Sequence, residues 1–200
     1  MDVAILDAIH RYWFGELRSY DEHPPEERRR EWFRPSEATD AYIRDTWGPY
    51  VAEAREAAWN LATLTRQQQV ALVILLDQFP RQTHRKSGES FACDVVARAI
   101  ARQLIAGNWR RFFFVEQSFV MLPFEHSEDP ADQDMSVLLF AERAAEAPEG
   151  LREAARDDLD FATRHRDVIR KFGRFPHRND MLGRASTAEE LEFLKAGRGF

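Results

Sequence analysis

The sequence predicts an all-α fold, a bundle or stack of antiparallel helical hairpins, and three observations predict it. Apolar residues recur at intervals of three and four along almost the whole chain, the spacing that lines up one face of a helix. No stretch of useful length alternates apolar and polar residues, as a half-buried strand would. The apolar stretches open on capping residues and close on glycine or proline, the punctuation of helix ends.

Each element follows in order. Ile5, Leu6, Ile9 and Trp13 form a first stripe that ends at Gly15. Ser19 to Arg30 is polar and contains proline, so it reads as a loop or a short helical excursion before Trp32 and Phe33. The next helix starts near Ser36 and carries Tyr42, Ile43, Trp47, Tyr50 and Val51, with Gly48-Pro49 as a place to bend. Thr65-Arg66-Gln67-Gln68 is a capping box that launches an apolar run to Phe79. Pro80 is expected to end that helix, because the residue before a proline is pushed out of helical geometry.

After a polar loop, Phe91, Val95, Val96, Ala99, Ile100 and Leu104 mark an amphipathic helix ending at Gly107. Phe112 to Leu122 is apolar nearly all round, so it is the expected central helix, ended by Pro123. Asp129-Pro130 joins a favoured cap to a proline at the first helical position. A long helix from about Leu151 to Phe172 stops at Gly173, and Ser186-Thr187-Ala188-Glu189 reads as a second capping box before Leu191 and Leu194. The sum is about seven or eight helices with short connections, which pack as antiparallel neighbours.

A chain of 200 residues with 44% hydrophobic content is expected to form one domain, residues 1–200. Its single cysteine, Cys93, rules out an internal disulfide framework and a multi-cysteine zinc site, and its place in an apolar helix makes it a core residue rather than a nucleophile. No basic segment leads into an apolar run at the start, and the greasiest run is broken by Glu116, Gln117 and Ser118. The expected compartment is the cytoplasm, with no membrane partner. A net charge of −6 argues against nucleic acid as a partner. Between Arg164 and Arg184, however, seven Lys/Arg face two Asp; that region reads either as solvated helix ends or as an anion-attracting surface.

The residues with chemistry sit at helix ends and loops, in three segments. Asp77 to Arg81, followed by His84 and Arg85, comes first. An aspartate at a helix C-terminus opposes the dipole, so Asp77 needs an arginine such as Arg81 or Arg174, or an amide. Glu125-His126-Ser127-Glu128-Asp129 comes second; Asp129 is used as a cap, which leaves His126 and Glu128 for hydrogen bonding, ligand contact, acid–base work or a metal. The third is His165-Arg166 and then Arg174, His177 and Arg178. His165 shares a face with Phe161, Val168, Ile169 and Phe172 and reads as a core histidine. The arginines either converge on one anion or neutralise Asp77 and Glu128 internally.

Glycine-rich phosphate loops, a His-Glu-x-x-His helix, a Gly-x-Ser-x-Gly elbow and the Glu-x-x-His pairs of di-iron bundles are all missing. No metal or cofactor is therefore expected. Trp32, Phe33, Trp47 and Trp109 are candidates for core packing ahead of a self-association surface, and the oligomeric state is left open.

Trp13-Phe14-Gly15, Leu76 to Arg81, Pro123 to Asp129, Arg164-His165-Arg166 and Phe172 to Asn179 together resemble the bacterial domain-of-unknown-function 924 family over most of the chain. The resemblance implies a fold similar to tetratricopeptide-like stacked hairpins and implies no activity. The chain departs from the family's pattern at Gln82-Thr83-His84, where an asparagine-containing step before an aromatic is expected, which makes His84 the weakest member of the set.

Three readings follow. In the first, the chain is a binding module that takes a small anionic molecule or a peptide through Asp77, Arg81, His126, Glu128, Arg174, His177 and Arg178. In the second it is a hydrolase or transferase, with His126 or His177 as general base, oriented by Glu128 or Asp77, and an arginine clamp. In the third the cluster is a buried polar lock between helices.

Overall fold

A computed structural model describes residues 1–197, and among them every regular element is helical. The described residues form two compact units: residues 1–85 with 90–123, and residues 86–89 with those from 124 on.

In the first unit α1 (Ala4–Phe14) buries Leu6, Ile9, His10, Trp13 and Phe14 and closes at Gly15, whose φ of 74° suits a residue without a Cβ. The polar stretch after it contains a helix, α2 (Glu26–Phe33). Glu26 and Glu27 stand at its N-terminus, and Arg30 reaches back to Glu26 at 2.9 Å. Acid first and base last is the order a helix dipole favours, which explains a helix with so little apolar face. Helix α3 (Glu37–Glu56) is capped by the Ser36 side chain and runs unbroken past Pro49.

The Thr65–Gln68 capping box forms as expected and starts α4 (Arg66–Val73). Pro80 does not end this helix. Residues Ile74–Gln78 widen into a π turn, and α5 (Phe79–Thr83) continues beyond the proline. The Phe79 N–H reaches five residues back to the Ile74 carbonyl; a turn so opened makes room for a ring that brings no donor of its own.

Helix α6 (Asp94–Asn108) buries Ala97, Ile100, Ala101 and Leu104, whereas Val95 is 69% exposed. The apolar face is thus rotated from the expected valine stripe onto small residues, which let α6 approach α4 and the π turn closely. Helix α7 (Phe114–Glu125) is largely buried, and it continues past Pro123. Trp13, Phe14, Trp32, Phe79 and Phe119 form the aromatic centre of this unit, with Trp32 and Phe119 ring centres 4.9 Å apart. Trp47 and Trp109 are buried as well; of the four aromatics set apart by sequence only Phe33 is exposed.

The second unit is built on a hairpin of α8 (Pro130–Ala145) and α9 (Arg152–Phe172). Arg143 pairs with Asp158 at 2.8 Å near the connection and Arg170 with Asp134 at 2.6 Å at the far end, so the helices run antiparallel. Asp129 caps α8 through the Ala131 N–H, and Gly173 ends α9 in the left-handed conformation. A single 3-10 turn, Pro176–Arg178, leads to α10 (Ala188–Lys195). Its capping box is Thr187 with Glu190, one residue later than expected, because the Ser186 hydroxyl is taken by the Asn179 amide. Val168, Ile169 and Phe175, with Phe172 and Phe193 against them, form the core here.

Candidate functional site

Of the residues singled out by sequence, Asp77 and Arg81 lie in the first unit. Asp77 is not at a helix end but inside the π turn, and it is 1% exposed. Its carboxylate takes the Gln78 amide and faces Arg81 at 3.4 Å. Arg81 in turn grips Asp94 through two bonds, of 2.8 and 2.9 Å, and donates to the Asp77 carbonyl. Burial works to lower the Arg81 pKa, but the two aspartates outweigh it and raise it further. The arginine fork is consumed within the fold.

His126, Glu128, Arg174, His177 and Arg178 lie in the second unit and do come together there. The turn after α7 is held by Gln133, whose amide donates to the carbonyls of Glu125 at 2.6 Å and Ser127 at 2.7 Å. Glu128 thereby faces the segment that follows α9. It accepts the Phe175 N–H and both terminal nitrogens of Arg184. Burial pushes the Glu128 pKa up, yet these donors win and hold it below the ordinary carboxylate value. Arg174 forks onto Glu190, whose carboxyl is held down at about 2 by that contact. Arg178 donates to the His126 carbonyl and lies over the Phe175 ring.

Two imidazoles complete this network. His165 is buried as expected, with Nδ1 2.9 Å from the Phe161 carbonyl and 3.3 Å from Glu125, and burial pushes its pKa down to about 3. His177 is pushed down to about 4, by burial first and then by Arg178. Glu128 and Glu190 each have both an arginine and a backbone donor, and the bonds tie the turn after α7 to the turn before α10.

A cleft lies in the first unit, and sequence did not single out its charged residues. It measures about 470 Å³ and is lined by Asp7, His10, Arg11, Gly15, Glu16, Leu17, Arg18 and Gln67, a volume typical of small-molecule sites. Helical spacing puts Asp7, His10 and Arg11 on one face of α1. Behind His10 stands a charge cluster: Nε2 of His10 is 2.7 Å from Glu116, which is fully buried on α7. The second Glu116 oxygen accepts the Phe113 N–H at 2.8 Å and faces Arg66 at 3.3 Å. Arg66 lies flat on the Phe113 ring, 3.5 Å from its centre. The signal for this site was Glu116 itself, a carboxylate in the greasiest run of the chain, which has to bring partners inside with it.

Among the described residues no group of three His, Cys, Asp or Glu side chains is placed to hold a metal ion, and no helix is long and apolar enough to cross a membrane.

The profile of the DUF924 family, bacterial proteins of unknown function, matches residues 9–198. No curated protein matches the chain. Among solved structures, that of ATU0120, a protein of unknown function from Agrobacterium tumefaciens, is similar: 30% identity, 98% of this chain and 100% of that one covered, TM-score 0.78.

Proposed function

The chain belongs to the DUF924 family, and from that premise we propose that it is a helical binding module for a small anionic molecule, held in the cleft beside α1. The observation that carries the reading is Arg11. It stands exposed on the wall of the cleft and makes no ion pair or side-chain hydrogen bond among the described residues, although Asp7 lies one helical turn away. Asp7 instead takes the Gln68 amide at 2.9 Å. Arg18, beside it, has only a 3.8 Å approach to Glu16. An arginine so presented offers the planar fork that suits a carboxylate or phosphate. The sequence-predicted cluster of the second unit, whose arginines already hold carboxylates, serves in this reading as the lock that fixes the turns around α9. The helices are stacked hairpins of the tetratricopeptide-like kind in this view, and the protein works in the cytoplasm.

The test is thermal unfolding with citrate and inorganic phosphate as probes, for the parent, Arg11→Gln and Arg174→Gln. A ligand that binds only the folded chain raises the melting temperature by mass action. The response is expected to vanish in Arg11→Gln and to persist in Arg174→Gln. An equal response in the parent and Arg11→Gln, or none to either anion, sinks the reading.

A second reading, an enzyme, has one observation in its favour: His10 with Glu116 behind it is the arrangement of an oriented general base. It differs from the first in that a bound molecule would be recovered chemically changed.

A further inference from the structure

We propose that the molecule taken by the α1 cleft carries a hydrogen-bond donor beside its acid group, as a hydroxy acid or an amino acid does. This rests on the binding reading above and names the class of ligand. The argument starts from Glu116. A carboxylate only accepts hydrogen bonds, and Glu116 is fully buried, with its second oxygen occupied by the Phe113 N–H and Arg66. The proton between it and His10 therefore sits on Nε2, 2.7 Å away. With Nε2 as the donor, the ring in its neutral form presents Nδ1 as a lone pair.

No described residue hydrogen-bonds that Nδ1, and His10, 94% buried, lines the cleft. That Nδ1 is not sealed away from solvent. His10 thus adds an acceptor on α1 to the carboxylates of Asp7 and Glu16 in the lining, while Arg11 and Arg18 offer only donors. A simple carboxylic acid satisfies the arginines and leaves Nδ1 wet or bare. A molecule with an O–H or N–H next to the carboxylate satisfies both. A site built to receive a donor discriminates against analogues that lack it, because its own acceptor is then left unpaired.

Calorimetric titration with three probes tests this: succinate, malate and aspartate share a carbon skeleton and two carboxylates, and only the last two add a donor, a hydroxyl in one and an ammonium in the other. Malate or aspartate is expected to bind about tenfold or more tighter than succinate, and which of the two wins says whether the hydroxyl or the amino form fits. In His10→Phe the preference should collapse with succinate affinity kept. Should that variant fail to fold, long-range proton–nitrogen NMR on the parent protein stands in, with His10 expected to show a protonated Nε2 and a bare Nδ1. Succinate binding as tightly as both others, or a His10 protonated on Nδ1, overturns the inference and leaves the anion site standing. Binding by none of the three overturns both.

Discussion

Lowering the pH from 7 to 5 will weaken the fold through His165 and His177. Burial brings His165 down to about 3 and His177 to about 4 from an ordinary 6.5. Both rings are neutral in the folded chain over a range where the unfolded chain has already taken up its protons. A group with a depressed pKa that gains charge on protonation makes the unfolded state bind more protons, so stability falls as pH falls. The loss begins near the unfolded value of 6.5 and levels off only near the folded values. At pH 5 the unfolded imidazole is about 1.5 units below its pKa, which amounts to ~2 kcal/mol per fully buried ring. His177 is only partly buried, so solvent screens its share, and the two together come to roughly 3 kcal/mol. Glu128 and Glu190 do not mask this. Their depressed values stabilise the fold above the ordinary carboxylate value of 4.5, and that contribution is lost only as pH falls below it. Urea unfolding followed by far-ultraviolet dichroism at pH 7, 6 and 5 measures the slope directly. The parent should lose roughly 3 kcal/mol across the range, and His165→Gln should lose clearly less. An undiminished pH slope in His165→Gln would refute the assignment.

Two further substitutions probe the frame around the second unit's cluster. Glu128→Gln keeps the shape but removes the charge that Arg184 grips through two bonds; urea unfolding at neutral pH should show a loss of about 2 kcal/mol, more than an exposed ion pair yields, and a loss under half of that is the contrary result. Gly173→Ala meets no atom within 4 Å but must hold φ at +70°, so calorimetric melting should report a cost of about 1 kcal/mol from backbone strain alone; an unchanged melting temperature would show that the α9 cap relaxes instead.

The helices were legible because the signals that specify them are local. Ser36, Thr65 and Asp129 cap from within three residues, and Gly15 and Gly173 stop helices by their own backbone freedom. Where the expectation failed, something distant or unusual decided. Pro80 was read by the rule for an ordinary α turn, and a π turn five residues long removes the premise of that rule. The α6 face was assigned to its valines, but close approach to α4 selects Ala97 and Ala101. The second box slipped by one residue because Asn179, seven positions before Ser186, claims its hydroxyl.

The polar residues divide along the same line. A turn such as Glu125 to Asp129 stands out because imidazole, hydroxyl and carboxylates crowd into a few positions, but Arg184 and Glu190, which complete the second unit's network, carry no such local signal. Nor does the sequence say who pairs with whom: Glu128 was offered to Arg174 and Arg178, whereas Arg184 takes it and Glu190 takes Arg174. Partner choice depends on the turn Pro176–Arg178 and the start of α10, which bring positions 56 residues apart within 2.6 Å. The cleft poses this difficulty in its strongest form, since His10 and Glu116 are 106 residues apart and each alone looks like an interruption in an apolar stripe. Yet burying a carboxylate without partners costs several kcal/mol. Glu116 in a helix apolar on nearly every side therefore obliges the fold to supply Arg66, the Phe113 N–H and an imidazole. An imidazole held in that way has its second nitrogen left to face outward, so the most apolar helix of the chain is what fixes the most polar feature of its cleft.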